Sequence, residues 1–199
     1  MKGKGVFVCI EGLDGSGKTT QTHLLVRRLR EQGHSAVYTR EPSRGRIGKF
    51  IKKNCLHAQK RGSSIVEALL FAADRIDHCQ REIVPGLNRG KLVLSDRYVY
   101  SSLAYQGATG LDLGWIETLN AKAVRPDLAI FIDATPAVVM DRLKPKRSVM
   151  ENLATQEKVR EIYLRFVERG DLLRVDGSGS KGEVNDRIQQ VVSEFLKRR

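Results

Sequence analysis

The sequence is short of cysteine, of aromatic residues and of acid. Its three cysteines, Cys9, Cys55 and Cys79, form neither a close pair nor a zinc-ligand spacing. That excludes a disulfide-stapled secreted scaffold, and the thiols read as reduced ones in a cytosolic protein. The four histidines follow no metal pattern either. No apolar run approaches membrane-spanning length. The first, Val6 to Ile10, stops at Glu11, so no signal peptide is expected. Acid is scarce against base: 23 Asp and Glu face 35 Lys and Arg, a formal net charge of +12. The basic residues, such as Arg27, Arg28, Lys52, Lys53, Lys60 and Arg61, are scattered, with no basic stripe interleaved with aromatics. This spread suits a solvated surface that also handles polyphosphate better than it suits a nucleic-acid partner. With 199 residues, no repeat and no linker-like stretch, a single domain over 1–199 is expected.

What the chain does have is Gly12-Leu13-Asp14-Gly15-Ser16-Gly17-Lys18-Thr19, followed by Thr20. This fits the pattern of a glycine, four residues, then Gly-Lys-Ser/Thr. Glycines let consecutive backbone N–H groups point into one concavity that cradles a polyphosphate. Lys18 supplies a charge for the β- and γ-phosphates, and the Thr19 hydroxyl suits Mg²⁺. The setting agrees. Gly5-Val6-Phe7-Val8-Cys9-Ile10 reads as a buried strand, and Leu24, Leu25 and Leu29 have the rhythm of a helix.

Further along, strands are expected at Ser35 to Thr39, Leu92 to Ser95, Leu128 to Ile132 and Leu172 to Val175. A polar, basic helix is expected from about Ile47 to Gln59. Ile65 to Ile76 is apolar almost all round, which predicts a helix buried on more than one side; Asp74 and Arg75 within it need a reason. Helices are expected after Asp112, from Thr135-Pro136, and from Leu153 to Arg169. Ser180 and Glu183 form a capping box ahead of a last helix with Ile188, Val191, Val192 and Phe195 as its apolar stripe. Strands alternate with helices, so the fold class is α/β: a doubly wound, five-stranded parallel sheet with helices on both faces.

A glycine loop alone leaves a switch GTPase, a motor ATPase or a kinase open. The guanine-reading string Asn-Lys-x-Asp is missing, and the length suits a small kinase. The motifs Glu11 to Thr20, Thr39-Arg40-Glu41-Pro42, Leu70-Phe71-Ala72-Ala73-Asp74-Arg75, Ser95-Asp96-Arg97-Tyr98, Ala104-Tyr105-Gln106-Gly107 and Arg125-Pro126-Asp127-Leu128 occur in that order. Together they resemble the thymidylate kinase family, nucleoside monophosphate kinases of the P-loop class that pass phosphate from ATP to dTMP.

The resemblance implies a set of roles. Phe71 would stack on thymine, and Arg75 would donate to a thymine carbonyl; core packing and an ion pair with Asp74 or Asp77 are the respective alternatives. Ser102 and Gln106 would bond the base edge. Tyr105 would close the 2′ side of the sugar, and Asp14 would accept from its 3′-hydroxyl. Arg40 and Arg97 would hold the phosphate of dTMP through paired hydrogen bonds. Asp96 would act on Mg²⁺ through water, beside Thr19. Arg142 would lie against adenine. A lid at about 144–152 would bring Lys146 and Arg147 to the transferred phosphoryl. The family's two-fold dimers imply a homodimer.

The chain also departs from the family pattern. One branch carries an arginine inside the glycine loop, where this chain has Gly15. The other branch has Asp-Arg-x-Glu in the lid, where this chain has Ser148-Val149-Met150-Glu151. The acting lid cation is therefore left open between Lys146 and Arg147. The common glycine pair after Pro42 is missing too, and Arg44 or Arg46 becomes a further candidate for the phosphate. Two rival readings stand beside this one. The first is a deoxynucleoside kinase with a carboxylate base such as Glu11. The second is a nucleotide-dependent nucleic-acid-binding protein.

Overall fold

A computed structural model describes residues 5–56, 62–142 and 153–199. The expected lid at 144–152, with Lys146 and Arg147, lies outside the described residues, as do residues 57–61. The elements run β1 (Val6–Gly12), α1 (Lys18–Glu31), β2 (Ala36–Arg40), α2 (Arg46–Ile51) and a π turn (Lys52–Leu56). There follow α3 (Ser64–His78), a second π turn (Cys79–Ile83), α4 (Val84–Asn88), β3 (Leu92–Asp96), α5 (Val99–Gly107) and α6 (Leu113–Leu119). The chain continues through β4 (Leu128–Asp133), α7 (Pro136–Arg142), α8 (Leu153–Glu168), β5 (Leu173–Asp176) and α9 (Lys181–Lys197).

All strand pairings are parallel, in the order β2-β3-β1-β4-β5. β1, β3 and β4 are buried along their whole length, which is why they read as unbroken apolar runs. Alternate residues of β1 feed two separate cores. Phe7 and Cys9 pack on one face with Leu103 of α5, Ile116 of α6 and Tyr163 and Phe166 of α8. Val6, Val8 and Ile10 pack on the other with Leu25 and Leu29 of α1 and Ile188 and Val192 of α9. The doubly wound α/β sheet with helices on both faces is thus present.

The order of the strands positions the site. The chain leaves β1 toward β2 and leaves β3 toward β4, in opposite directions across the sheet. The crevice between the C-terminal ends of β1 and β3 is therefore the switch point where α/β sheets take ligands. The register sets Ile10 of β1 and Arg40 of β2 level with Asp96 of β3, and Gly12 level with Ile132 of β4.

One expectation needs correcting. α3 is not buried on several sides: Ile65, Val66 and Leu69 are about half exposed, at 51, 52 and 47%. Its buried side carries Glu67, Asp74, Arg75 and His78 beside Ala68 and Ala72. Asp74, Arg75 and His78 turn inward because Ser43, Glu41 and Thr39, elsewhere in the chain, satisfy them, which leaves the apolar side outward.

Candidate active site

The glycine loop closes the end of β1. A side chain at Gly12, with φ of +152°, would press its Cβ to 2.7 Å from Ser16 Oγ and 2.9 Å from the Ile132 carbonyl. Gly17, at φ +94°, starts α1 without a side-chain cap, and no acidic residue stands in that helix's first turn. The free N–H groups at a helix start favour an anion. Lys18 is buried, and its ammonium donates to the Leu13 carbonyl at 2.5 Å. Burial, reinforced by the charge of Arg97, draws Lys18 down to about 8, against the pull of Asp14, Asp96 and Glu11.

At the end of β3, Thr19 Oγ1 donates to Asp96 Oδ2 at 2.5 Å and the Tyr38 hydroxyl donates to the same oxygen at 3.4 Å. Asp96 Oδ1 is buried with no partner. A hydroxyl and a carboxylate oxygen with unspent acceptor capacity form the hard donor set that Mg²⁺ prefers, so the residues fit that ion. Among the described residues there is no cluster of three or more His, Cys, Asp and Glu able to hold a metal.

Arg97 follows in the left-handed region at φ 69°, the sole non-glycine residue with positive φ among the described residues. Its guanidinium donates to Ser101 Oγ at 2.9 Å and pairs with Asp14, and it lies 5.0 Å over the ring of Tyr105. The Asp14 N–H donates to the Tyr105 hydroxyl at 2.9 Å. Burial alone would raise the Asp14 carboxyl, but Arg97 and Lys18 outweigh it and hold the group below its usual value. Asp14, Arg97 and Tyr105 are thus brought into one cluster. Arg40 and Arg142 line the same cleft of about 390 Å³ as Lys18, Thr20 and Asp96. The Nε of Arg40 is buried without a partner.

A second cluster lies deeper. Arg75, 1% exposed, gives Nε and Nη2 to Glu41 Oε2 at 2.9 and 2.6 Å, and Nη1 to Asn120 Oδ1 at 2.5 Å. Nη2 also reaches the Tyr98 carbonyl at 3.1 Å and Ser102 Oγ at 3.0 Å. The ion-pair partner is thus Glu41, not Asp74 or Asp77. Asp74 instead accepts from the Ser43 N–H and hydroxyl, both at 2.6 Å, and Asp77 pairs with Arg81. Gln106, one turn after Ser102 on α5, is buried with Oε1 unpartnered. Phe71, one turn before Arg75 on α3, is half-buried and stands outside both apolar cores of the described residues.

Glu41, Lys52 and Ser101 were not among the expected site residues. Glu41 and Lys52 line the cleft. Ser101 touches Arg97. Glu41 was visible as part of Thr39 to Pro42, but its link to Arg75 spans 34 positions. In the sequence, Lys52 is one more dispersed cation. Burial, followed by the charge of Arg40, lowers its ammonium.

The thymidylate kinase family model matches residues 10–188. The chain belongs to the thymidylate kinase family. It is 43% identical to a probable thymidylate kinase of Thermococcus onnurineus, over 97% of this chain and all of the relative. It is also 43% identical to one of Pyrococcus abyssi, over 97% of this chain and 98% of the relative. A third, from Pyrobaculum aerophilum, is 41% identical over 96 and 98%. The chain is accordingly a kinase that phosphorylates dTMP. No helix of the described residues is long and apolar enough to cross a membrane.

Proposed function

We propose that this kinase moves the γ-phosphate of ATP directly onto the phosphate of dTMP, in line, in the supply of dTTP. The observation that carries this reading is what lines the cleft together with the glycine loop: Arg40 and Arg97, two guanidinium groups. An acceptor phosphate is already anionic near neutral pH, its second pKa being about 6. Positioning and charge compensation then suffice, and no general base is needed. Glu11, the base that a deoxynucleoside kinase would use, is fully buried and accepts from the Tyr98 N–H, the Ser101 N–H and hydroxyl and the Tyr163 hydroxyl.

The donor's phosphates lie in the loop from Gly12 to Thr20, against Lys18, with Arg142 toward adenine. Thr19 and Asp96 would hold Mg²⁺, which supplies charge compensation on the phosphates when bound. On the acceptor side, Arg75 presents a donor fixed by four partners and Gln106 presents an unpartnered acceptor. Thymine offers the complement, a carbonyl beside an N–H, whereas cytosine reverses both. Phe71 covers the ring face, and Tyr105 with Asp14 meets the sugar. Lys146 and Arg147 would complete the charge from the lid. The outward apolar side of α3 supports a homodimer, and the absence of paired cysteines in the sequence supports a cytoplasmic setting.

The test offers Mg²⁺-ATP with dTMP, dUMP, CMP, AMP, GMP and thymidine separately. Turnover is expected with dTMP, and thymidine is expected to be inert. Preference for thymidine or for another monophosphate overturns the assignment. Lys18→Ala is expected to abolish turnover in a folded protein.

A further inference from the structure

Glu11 is a buried carboxylate that phosphoryl transfer to a phosphate does not require, yet it sits one residue before the glycine loop. Its two oxygens are used differently. Oε1 accepts from the Tyr98 N–H at 2.9 Å and from the Ser101 N–H at 3.3 Å, which caps α5 from outside that helix. Oε2 accepts from the Ser101 hydroxyl at 2.6 Å and from the Tyr163 hydroxyl at 3.2 Å.

The Ser101 hydroxyl has one proton, which goes to Glu11 Oε2 at 2.6 Å or to the Tyr163 hydroxyl at 3.0 Å, itself a donor to the same Oε2. The Ser101 lone pairs remain, and Arg97 Nη1 donates to them at 2.9 Å. The direction of this chain is fixed by proton count: guanidinium to hydroxyl to carboxylate, directly or through Tyr163. A hydroxyl that donates to a carboxylate is also a better acceptor. The Arg97 backbone is tied beside it, because the Arg97 N–H donates to the carbonyl of Ile10 at 2.9 Å. That tie coincides with the φ of 69°, a conformation that persists only where its surroundings determine it.

We propose that Glu11 and Ser101 are positioning residues, which aim the Arg97 guanidinium at the phosphate of the acceptor. Glu11 thus orients an acceptor arginine through Ser101 instead of deprotonating a hydroxyl. The proposal rests on the reading that Arg97 meets the dTMP phosphate.

Calorimetric binding of dTMP and of thymidine to the ligand-free protein tests it. Ser101→Ala removes the relay and leaves both backbone N–H bonds to Glu11 in place, so α5 keeps its cap. It is expected to weaken dTMP about tenfold, the loss of one charge-assisted hydrogen bond, and to leave thymidine unchanged. Ser101→Thr, which keeps the hydroxyl, is expected to restore dTMP binding. In an Arg97→Ala background, Ser101→Ala is expected to add nothing. Equal weakening of both ligands by Ser101→Ala, or no weakening of dTMP, overturns the relay while Arg97→Ala still discriminates between them. If Arg97→Ala itself leaves the ratio of dTMP to thymidine affinity untouched, the phosphate role of Arg97 fails, and the relay with it.

Discussion

Filling the glycine loop with polyphosphate should draw a proton out of an alkaline solution. The ligand-free loop buries the Lys18 ammonium, and burial with Arg97 nearby takes it from 10.5 to about 8. One negative charge at 4 Å is worth about 4 kcal/mol at an effective dielectric constant of 20. At 1.36 kcal/mol per pKa unit, that is roughly three units upward. Bound donor nucleotide therefore returns Lys18 to full protonation. At pH 8.5 the empty loop holds this amine about one quarter charged, so binding takes up roughly three quarters of a proton. The nucleotide's own phosphates, with a second pKa of about 6, contribute little there. Calorimetry of ATP binding in two buffers of different ionisation enthalpy counts the proton directly, and Lys18→Met should abolish it. Heats that do not depend on the buffer at pH 8.5 would refute the reasoning, as would an undiminished uptake in Lys18→Met. The same shift fixes a stability trend. The folded-state pKa of Lys18 lies below the unfolded one, so the cost of burying the ammonium is fully present below pH 8. It is relieved as pH climbs to 10.5, and the contribution of Lys18 to ligand-free stability rises across that window by up to about 3 kcal/mol.

Two further outcomes follow from the deeper and the outer cluster. Glu41→Gln keeps the shape of the side chain but leaves the buried Arg75 guanidinium without its countercharge. A loss of about 3–5 kcal/mol in urea unfolding is expected, with partial recovery in Glu41→Gln/Arg75→Met; a loss under about 1 kcal/mol would contradict the pairing. Asp96→Asn should weaken Mn²⁺, measured by electron paramagnetic resonance with ATP present, by roughly 10- to 100-fold. Unchanged Mn²⁺ affinity would remove Asp96 from the metal's surroundings.

How much was legible in the sequence depends on how local the causes were. β1, β3 and β4 are buried on both faces, and an unbroken apolar run carries that information by itself. The capping box at Ser180 and Glu183 is equally local, and both of its hydrogen bonds are present. α5 was not foreseen as a helix. Its N-terminal N–H groups are satisfied by Glu11, 87 and 90 positions earlier, so no nearby capping residue announces it. α3 misled for a related reason. Counting apolar residues says how greasy a helix is, but not which side has partners. Its inward side is polar because Glu41 and Ser43, beyond the reach of any helical period, receive Arg75 and Asp74. The glycine loop, Arg97 and Arg75 were readable as types in a pattern. Ser101 and Lys52 were not, since only the folded chain brings Ser101 to Arg97 and Lys52 to the cleft.

On the proposed reading, Arg75 and Arg97 of the acceptor site differ in kind, and their carboxylates show why. Arg75 is 1% exposed and its partner Glu41 is 6% exposed. Glu41 is itself gripped on its other oxygen by His78 Nδ1 at 3.1 Å. Exchanging that pair for substrate contacts would strand a buried charge, so Arg75 reads a base as a fixed donor. Arg97 instead pairs with Asp14, whose side chain is 32% exposed. An arriving phosphate of higher charge can take the guanidinium from such a carboxylate, which water and a sugar hydroxyl then satisfy. The base is thus met by rigid geometry and the phosphate by exchange of one anion for another. A relay that keeps Nη1 in place while Nη2 changes partner is what such an exchange requires of Ser101 and Glu11.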